Sequence, residues 1–566
     1  MEAAMKVFFL LILPLFVGLG VVCQSPSRKS DFADLVFQNG VVWTVNPCRP
    51  RAEAVAVKDG KITVVGISRD IEPWVGPDTR VVDLSGAMLL PGFIDSHTHF
   101  LDGGFALRNI QLRDVDHREE FVRRIGAKAL ELEEGTWILN GDWDHQRFDP
   151  PKLPSRDWID GVTPNHPVCV NRLDAHMVLV NSAALKKTGV TKDTVSPSGG
   201  EIRKDSRTGE PTGILKDAAM GLVMRHIPEP EFDAKLKAAE TALRHAARHG
   251  ITSLHDMSRM EHYEVYRELM RRGRLTARLR IYIPITRMDP IAGLDVEIPP
   301  GSDFLEIGGL KGFVDGSLGS FTALFFEPYS DAPQKKGIMA ADMYPEGIME
   351  ERIRAADRAG LQIAVHAIGD RANHMVLDII ERIAAEEGKR ERRWRIEHAQ
   401  HLLPEDIKRF GRLNLIASVQ PYHAIDDGRW AEGKVGAARL QTTYPFRSLL
   451  EEGSRLACGS DWSVAPLDPL SGIYAAVTRS TLDDKHPEGW IPAEKISLED
   501  AIQAYTLGGA FAEFKEGVKG SIETGKVADL VVLSRDLFST PPEDIINVQV
   551  RMTVVGGAVV YESEYR

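Results

Sequence analysis

Residues Pro91 to Phe100 read PGFIDSHTHF. In a strand, successive side chains point to opposite faces, so His97 and His99, two positions apart, point the same way. Two imidazoles on one face, straight after an apolar run and an aspartate, are either two ligands of a metal ion or a coincidence of spacing. What else the fold brings to that strand end decides between them.

Outward from this stretch, short apolar runs alternate with helical ones. Eight runs read as strands: MLLPGFID (88–95), GITSLHDM (250–257), ARLRIYIPI (277–285), EIGGLKGFVD (306–315), LQIAVHA (361–367), RWRIEHA (393–399), LNLIASVQ (413–420) and SRLACGSD (454–461). Stretches with charged helical faces, such as EERIRAADRAG and HMVLDIIERIAAEE, lie between several of them. Strand and helix in eightfold alternation predict an α/β fold, a (β/α)8 TIM-like barrel over residues 88–514. A gap of about 150 residues between the first two strands breaks the rhythm. Its own strand-like pieces predict an inserted subdomain at about 101–245, over the barrel mouth. The two chain ends share another style. ADLVFQNG, VVWTV, AEAVAVKDGKITVVG and TRVVDLSG near the start match VADLVVLS and QVRMTVVGGAVVYES near the end, with turns at Asn39-Gly40, Asp59-Gly60 and Gly556-Gly557. Residues 32–87 and 515–566 therefore read as halves of one small composite β-sandwich.

The 566-residue chain carries a net charge of −12, against the basic balance of a nucleic-acid binder. Cys23, Cys48, Cys169 and Cys458 form no C-x-x-C pair and no compact disulfide framework. Lys6 precedes the uncharged VFFLLILPLFVGLGVVC, residues 7–23. A short positive start before an apolar stretch reads as a signal peptide over residues 1–23. The run is close to the minimum that spans a bilayer, so an uncleaved signal anchor, with membrane attachment through residues 7–23, is the alternative. Either predicts the secretory pathway, lumenal, secreted or anchored. Residues 24–31, QSPSRKSD, read as a polar linker.

Active-site groups of such a barrel sit at the C-terminal strand ends. Strand one ends in Asp95, His97 and His99; strand four carries Lys311; strands five and six end at His366 and His398; strand eight ends at Asp461. A lone histidine at a strand end is more often a hydrogen-bonded structural residue, and Lys311 or Asp461 alone would be an ordinary lysine or a helix cap. Placed together at five strand ends, imidazoles and carboxylate form the ligand set of zinc or a similar divalent ion, one or two in number. Lys311 cannot ligate as an ammonium. Desolvated inside a barrel it can be neutral, and a neutral amine that takes up carbon dioxide becomes a carbamate able to bridge two metals. Without the carbamate, a mononuclear site built from His97, His99, His366 or His398, and Asp461 remains. Asp95 reads as a partner that orients the ligands.

The set GFIDSHTH, KGFVDGSLGS, VHAIGDRAN, RIEHAQ, SVQP and GSDW, with the closing KGSIETGKVADLVVL, resembles the amidohydrolase superfamily. Its order and wording are similar to the amidohydrolase-3 branch, the YtcJ-like and N-substituted formamide deformylase group, from about Phe32 to Tyr561. The N-terminal apolar segment is similar to that of plant members, the Long After Far-Red 3 type. The resemblance implies hydrolysis of a non-peptide carbon–nitrogen bond in a small-molecule amide or formamide. It implies one metal on His97, His99 and Asp461, and a second on carbamylated Lys311, His366 and His398, with neighbouring Asp315 as a competing anion. A metal in this place lowers the pKa of water; Asp461 would be the catalytic general base. No organic cofactor is needed, and a homodimer is the assembly such barrels often form.

Trp143, Asp144, Arg147, Arg172, Asp174 and His176 in the insertion read either as substrate contacts of a lid or as a hydrogen-bonded subdomain core. Tyr422 and His423, just past strand seven, are similar substrate-binding candidates. Acidic runs such as ELEEG read as solvated helix faces. Two other functions stay open: a regulatory barrel without turnover, and a hydrolase of another bond, such as an ester.

Overall fold

The computed structural model describes residues 32–288 and 301–564. The signal and linker expectations for 1–23 and 24–31 lie outside the described residues. Among the described residues, no helix is long and apolar enough to cross a membrane.

Eight parallel strands follow one another around a ring: β1 (Phe93–Thr98), β2 (Ile251–Met257), β3 (Arg278–Pro284), β4 (Leu305–Phe313), β5 (Gln362–Ala367), β6 (Arg395–His398), β7 (Ile416–Val419) and β8 (Arg455–Cys458). The ring closes through a parallel bridge between Thr98 and Trp462, and through Asp461 N–H donating to the His97 carbonyl at 2.7 Å. This is the (β/α)8 barrel that the alternation predicts. Register levels the strand ends: Phe313 pairs with His366, and Ala367 with His398. Helices pack outside by their apolar stripes. In Phe232–Arg248 the buried Leu236, Ala239, Leu243 and Ala246 recur at helical spacing and join the barrel core.

The expected first strand, 88–95, divides in two. Met88–Pro91 lies in a six-stranded sheet, antiparallel to Leu530–Leu533 and parallel to Val41–Trp43. That sheet faces a four-stranded one across a shared core of Phe37, Val55, Leu89, Leu530 and Val554, so both chain ends build the composite sandwich. Only after Gly92 does the chain enter the barrel. A Cβ on Gly92 would lie 2.2 Å from the Thr252 side chain, so the crossing from sandwich to barrel has no room for one. Gly92→Ala is expected to cost about 1–3 kcal/mol, read as a lowered urea midpoint; an unchanged midpoint would show that the strands can part without penalty.

The insertion carries its own six-stranded mixed sheet, from Ile110–Gln111 at one edge to Gly200–Lys204 at the other. Separate apolar clusters cover its two faces. The flanks of the expected span, 101–245, belong to the barrel: helices Phe100–Ala106 and Phe232–Arg248 pack on each other and into the barrel core.

Candidate metal centre

Three of the histidines, His97, His366 and His398, are each held by one ring nitrogen, which leaves the other available. His97 Nδ1 lies 2.5 Å from Glu397 Oε2, leaving Nε2 3.3 Å from Lys311 Nζ and 3.5 Å from Asp461 Oδ1. His99 Nε2 is 3.3 Å from the same Asp461 oxygen. His398 Nδ1 faces Gln420 Oε1 at 2.7 Å, and His366 Nε2 faces the Gly316 carbonyl at 3.1 Å. The His366 and His398 rings are 4.5 Å apart, and the His97 and His398 rings 5.1 Å. His97, His99, Lys311, His366, His398 and Asp461 all border one cavity of about 230 Å3 at the mouth of the barrel.

The electrostatics favour ligation. Burial pulls His97 down to about 4, with Lys311 adding to the effect, and holds His366 and His398 well below the ordinary imidazole range. These shifts favour the neutral rings that metal binding requires, whereas at His99 burial is outweighed by the Asp461 carboxylate, which raises the imidazole. Burial alone would raise Asp461, but the imidazoles of His97, His99 and His398 outweigh it and hold the carboxyl well below its usual range. Lys311 is buried, and its amine drops to about 8. Two groups of ligand atoms lie within 4.8 Å of one another: His97, His99 and Asp461, and His398, His423 and Asp461. His423 Nε2 is buried without a hydrogen-bond partner. Buried polar atoms are rarely left so, and the nitrogen and oxygen donors suit a divalent ion of the zinc type.

The carboxylates at positions 95 and 315 do other work. Asp95 accepts from the backbone N–H groups of His97 and Ser460, tying β1 to the loop that bears Asp461. Asp315 accepts from Leu324, Ile368 and Gly369 backbone N–H groups at 2.8–3.0 Å, and burial pushes it up to about 7. It braces the loop beyond β4, and its Oδ1 lies 3.5 Å from His366 Nε2.

The insertion supplies one wall. Arg172 is buried and spends its guanidinium on Asp144 at 2.9 Å and Asp174 at 2.7 Å; Asp174 also accepts from the hydroxyls of Ser317 and Ser320 on the loop after β4. Arg172 thus borders the cavity while locking the insertion to the barrel. His176 borders it too, with Nδ1 2.6 Å from Asp217 and its ring 5.2 Å from that of His366. Three of the expected substrate contacts, Trp143, Arg147 and Tyr422, do not line the cavity. Trp143 sits in the insertion's own core, edge-on to Phe121, its indole N–H donating to the Val170 carbonyl. Tyr422 is not among the lining residues, whereas His423 beside it is. Phe313, Leu318, Ile368 and Trp430 add apolar lining, and Gln400, Asp426 and Asp427 add polar lining.

Sequence reasoning missed Glu397 and its partner Arg395. Both are fully buried in β6, and Arg395 Nε and Nη2 donate to the two Glu397 oxygens at 2.8 and 3.0 Å. Their signal was present: two opposite charges at period two inside a run expected to be buried must pair.

Comparison with known proteins agrees with this geometry. The model of the family described as "Amidohydrolase family" matches residues 80–561. "Protein LONG AFTER FAR-RED 3" of Arabidopsis thaliana is 40% identical over 544 residues, 94% of this chain and 92% of that protein. "Putative amidohydrolase YtcJ" of Bacillus subtilis is 32% identical, covering 93% of this chain and 99% of its own. "N-substituted formamide deformylase" of Arthrobacter pascens is 27% identical over 94% and 99% of the two chains. Among solved structures, an uncharacterized metal-dependent hydrolase from Pyrococcus horikoshii superposes with a TM-score of 0.72 at 26% identity, over 90% of this chain and 99% of that one. The chain belongs to the amidohydrolase family.

Proposed function

We propose that this protein hydrolyses a carbon–nitrogen bond of a small amide or formamide-like compound, with Asp461 as the general base. The observation that carries the reading is the position of Asp461. One carboxylate, held ionised, is shared by both groups of ligand atoms and faces a small cavity with a largely apolar wall. The likeness to an N-substituted formamide deformylase supports the bond class.

His97, His99 and Asp461 would hold one divalent ion, with zinc the expected metal, and His366 and His398 with a carbamate on Lys311 a second; bound there, the metal supplies Lewis acidity and a lowered pKa for water. The remaining work falls to the chain. Asp461 accepts a proton from the attacking water and returns it to the leaving nitrogen, which departs as a neutral amine rather than an amide anion. Lys311, lowered to about 8, offers a neutral amine that adds to carbon dioxide and releases one proton. The Arg172 cluster fixes the insertion as a wall that keeps bulk water away from the reacting bond. A cavity of about 230 Å3 limits the substrate to a small molecule, with its N-substituent against Phe313 and Trp430.

Zinc-loaded protein, incubated with a panel of N-substituted formamides, small amides and matching esters, is expected to release amine from at least one of the first two classes and to stop when a chelator is added. Cleavage confined to esters would overturn the carbon–nitrogen assignment. Full metal occupancy without turnover on any class would favour the regulatory barrel.

A further inference from the structure

His423 stands outside the ligand set drawn from the strand ends, because it follows β7 on the short helix Pro421–Asp427. Three observations set it apart from a substrate contact. Its ligand atom and those of His398 and Asp461 all lie within 4.8 Å of one another. Its Nε2 is buried and makes no hydrogen bond. Its ring lies almost parallel to that of His398, 12° between planes with centroids 6.4 Å apart, and His398 is held through Nδ1 by Gln420. A buried imidazole nitrogen without a partner, beside a carboxylate, is rare in folded chains unless something is bound between them. Both groups can donate a lone pair, and two nitrogens with one carboxylate oxygen make the donor set of a zinc-type ion.

We propose that His423 is a metal ligand, and that with His398 and Asp461 it forms a cation position that needs no carbamate on Lys311. This assignment rests on the metal-hydrolase reading above and sharpens it. Lys311 Nζ lies beside the first group, 3.3 Å from His97 Nε2, whereas His398, His423 and Asp461 come from the ends of β6, β7 and β8. The His423 position and the carbamate position both call on His398. A second ion can therefore be held in the absence of carbon dioxide, and the state of Lys311 does not set the metal count.

The test uses the full chain, stripped with chelator and titrated with Zn2+ alone in carbon-dioxide-free buffer. Bound zinc is counted after gel filtration, and affinity is read by competition with a chromophoric chelator. His423→Ala and the size-conserving His423→Gln are each expected to lose one zinc equivalent or to bind it at least about tenfold more weakly, since removing even a group that orients a ligand costs 10–100-fold. Lys311→Ala is expected to keep that equivalent. Thermal melts of each variant with and without zinc show whether it folds; should one of the two His423 variants fail, the other carries the result. Wild-type zinc count and affinity in a folded His423 variant overturn the assignment, as does loss of the same equivalent in Lys311→Ala. Wild-type protein that binds no zinc overturns the metal-centre reading itself, and normal wild-type binding with unchanged His423 variants overturns the His423 assignment alone.

Discussion

Asp461→Asn is expected to lower turnover by about 10²–10⁴-fold, the usual range for losing a positioned acid–base group. Asparagine is the informative choice. Asp461 has φ of 57°, in the left-handed region, where Asp and Asn are tolerated and most other side chains are strained. Its backbone N–H donates to the His97 carbonyl, which helps close the barrel, and asparagine keeps that bond. The loop therefore retains its course while the carboxylate loses its charge and its basicity. Because the same carboxylate belongs to both groups of ligand atoms, zinc affinity should fall as well. Amine release measured at saturating zinc separates the two effects: restored occupancy with turnover still depressed identifies the proton-transfer role. Turnover within tenfold of wild type at full occupancy would remove Asp461 from proton transfer and leave it as a ligand only.

The barrel was legible because its grammar is local. Apolar runs such as IAV in β5 and amphipathic helices such as Phe232–Arg248 announce themselves by period, and the barrel rule then says where their polar ends converge. What stayed hidden depended on pairing between distant segments. Met88–Pro91 and Phe93–Thr98 read as one strand because both are apolar; that they belong to different sheets is decided by partners as far away as Leu530. Trp143 reads equally as a substrate contact or as subdomain core, and only its packing in the insertion decides for the core. His423 was visible as a residue but not as a ligand, since its place against His398 and Asp461 arises from a turn after β7 that carries no periodic signal. Arg395 and Glu397 were passed over for another reason. Charges in a short strand normally mark a solvent face, whereas the interior of this barrel is polar.

That interior supplies the second large effect. Arg395→Met is expected to destabilise the fold by about 3–5 kcal/mol, the cost of stranding a buried partner charge, and to weaken zinc binding with it. The guanidinium is wholly enclosed by the barrel. Besides Glu397 on its own strand, it donates to the Ser96 carbonyl on β1 at 2.5 Å, the Ser418 hydroxyl on β7 at 2.9 Å and the Tyr282 hydroxyl on β3 at 3.1 Å, and it meets His255 Nδ1 on β2 at 2.7 Å. One side chain thus links five of the eight strands, and methionine replaces none of those bonds. Glu397 would then keep a buried charge whose depressed pKa owes most to Arg395, against the opposing effect of burial. A carboxylate that becomes protonated no longer holds His97 Nδ1 in the tautomer that turns Nε2 toward the cavity, which is how a residue remote from the mouth reaches the metal. Adding Glu397→Gln to Arg395→Met tests this chain of cause. If the stranded charge is the source of the loss, the double variant regains part of the stability in urea unfolding while zinc affinity stays low. If the double variant is less stable than Arg395→Met by the full cost of Glu397→Gln alone, the two residues act independently, and the account of the barrel interior as one coupled unit fails.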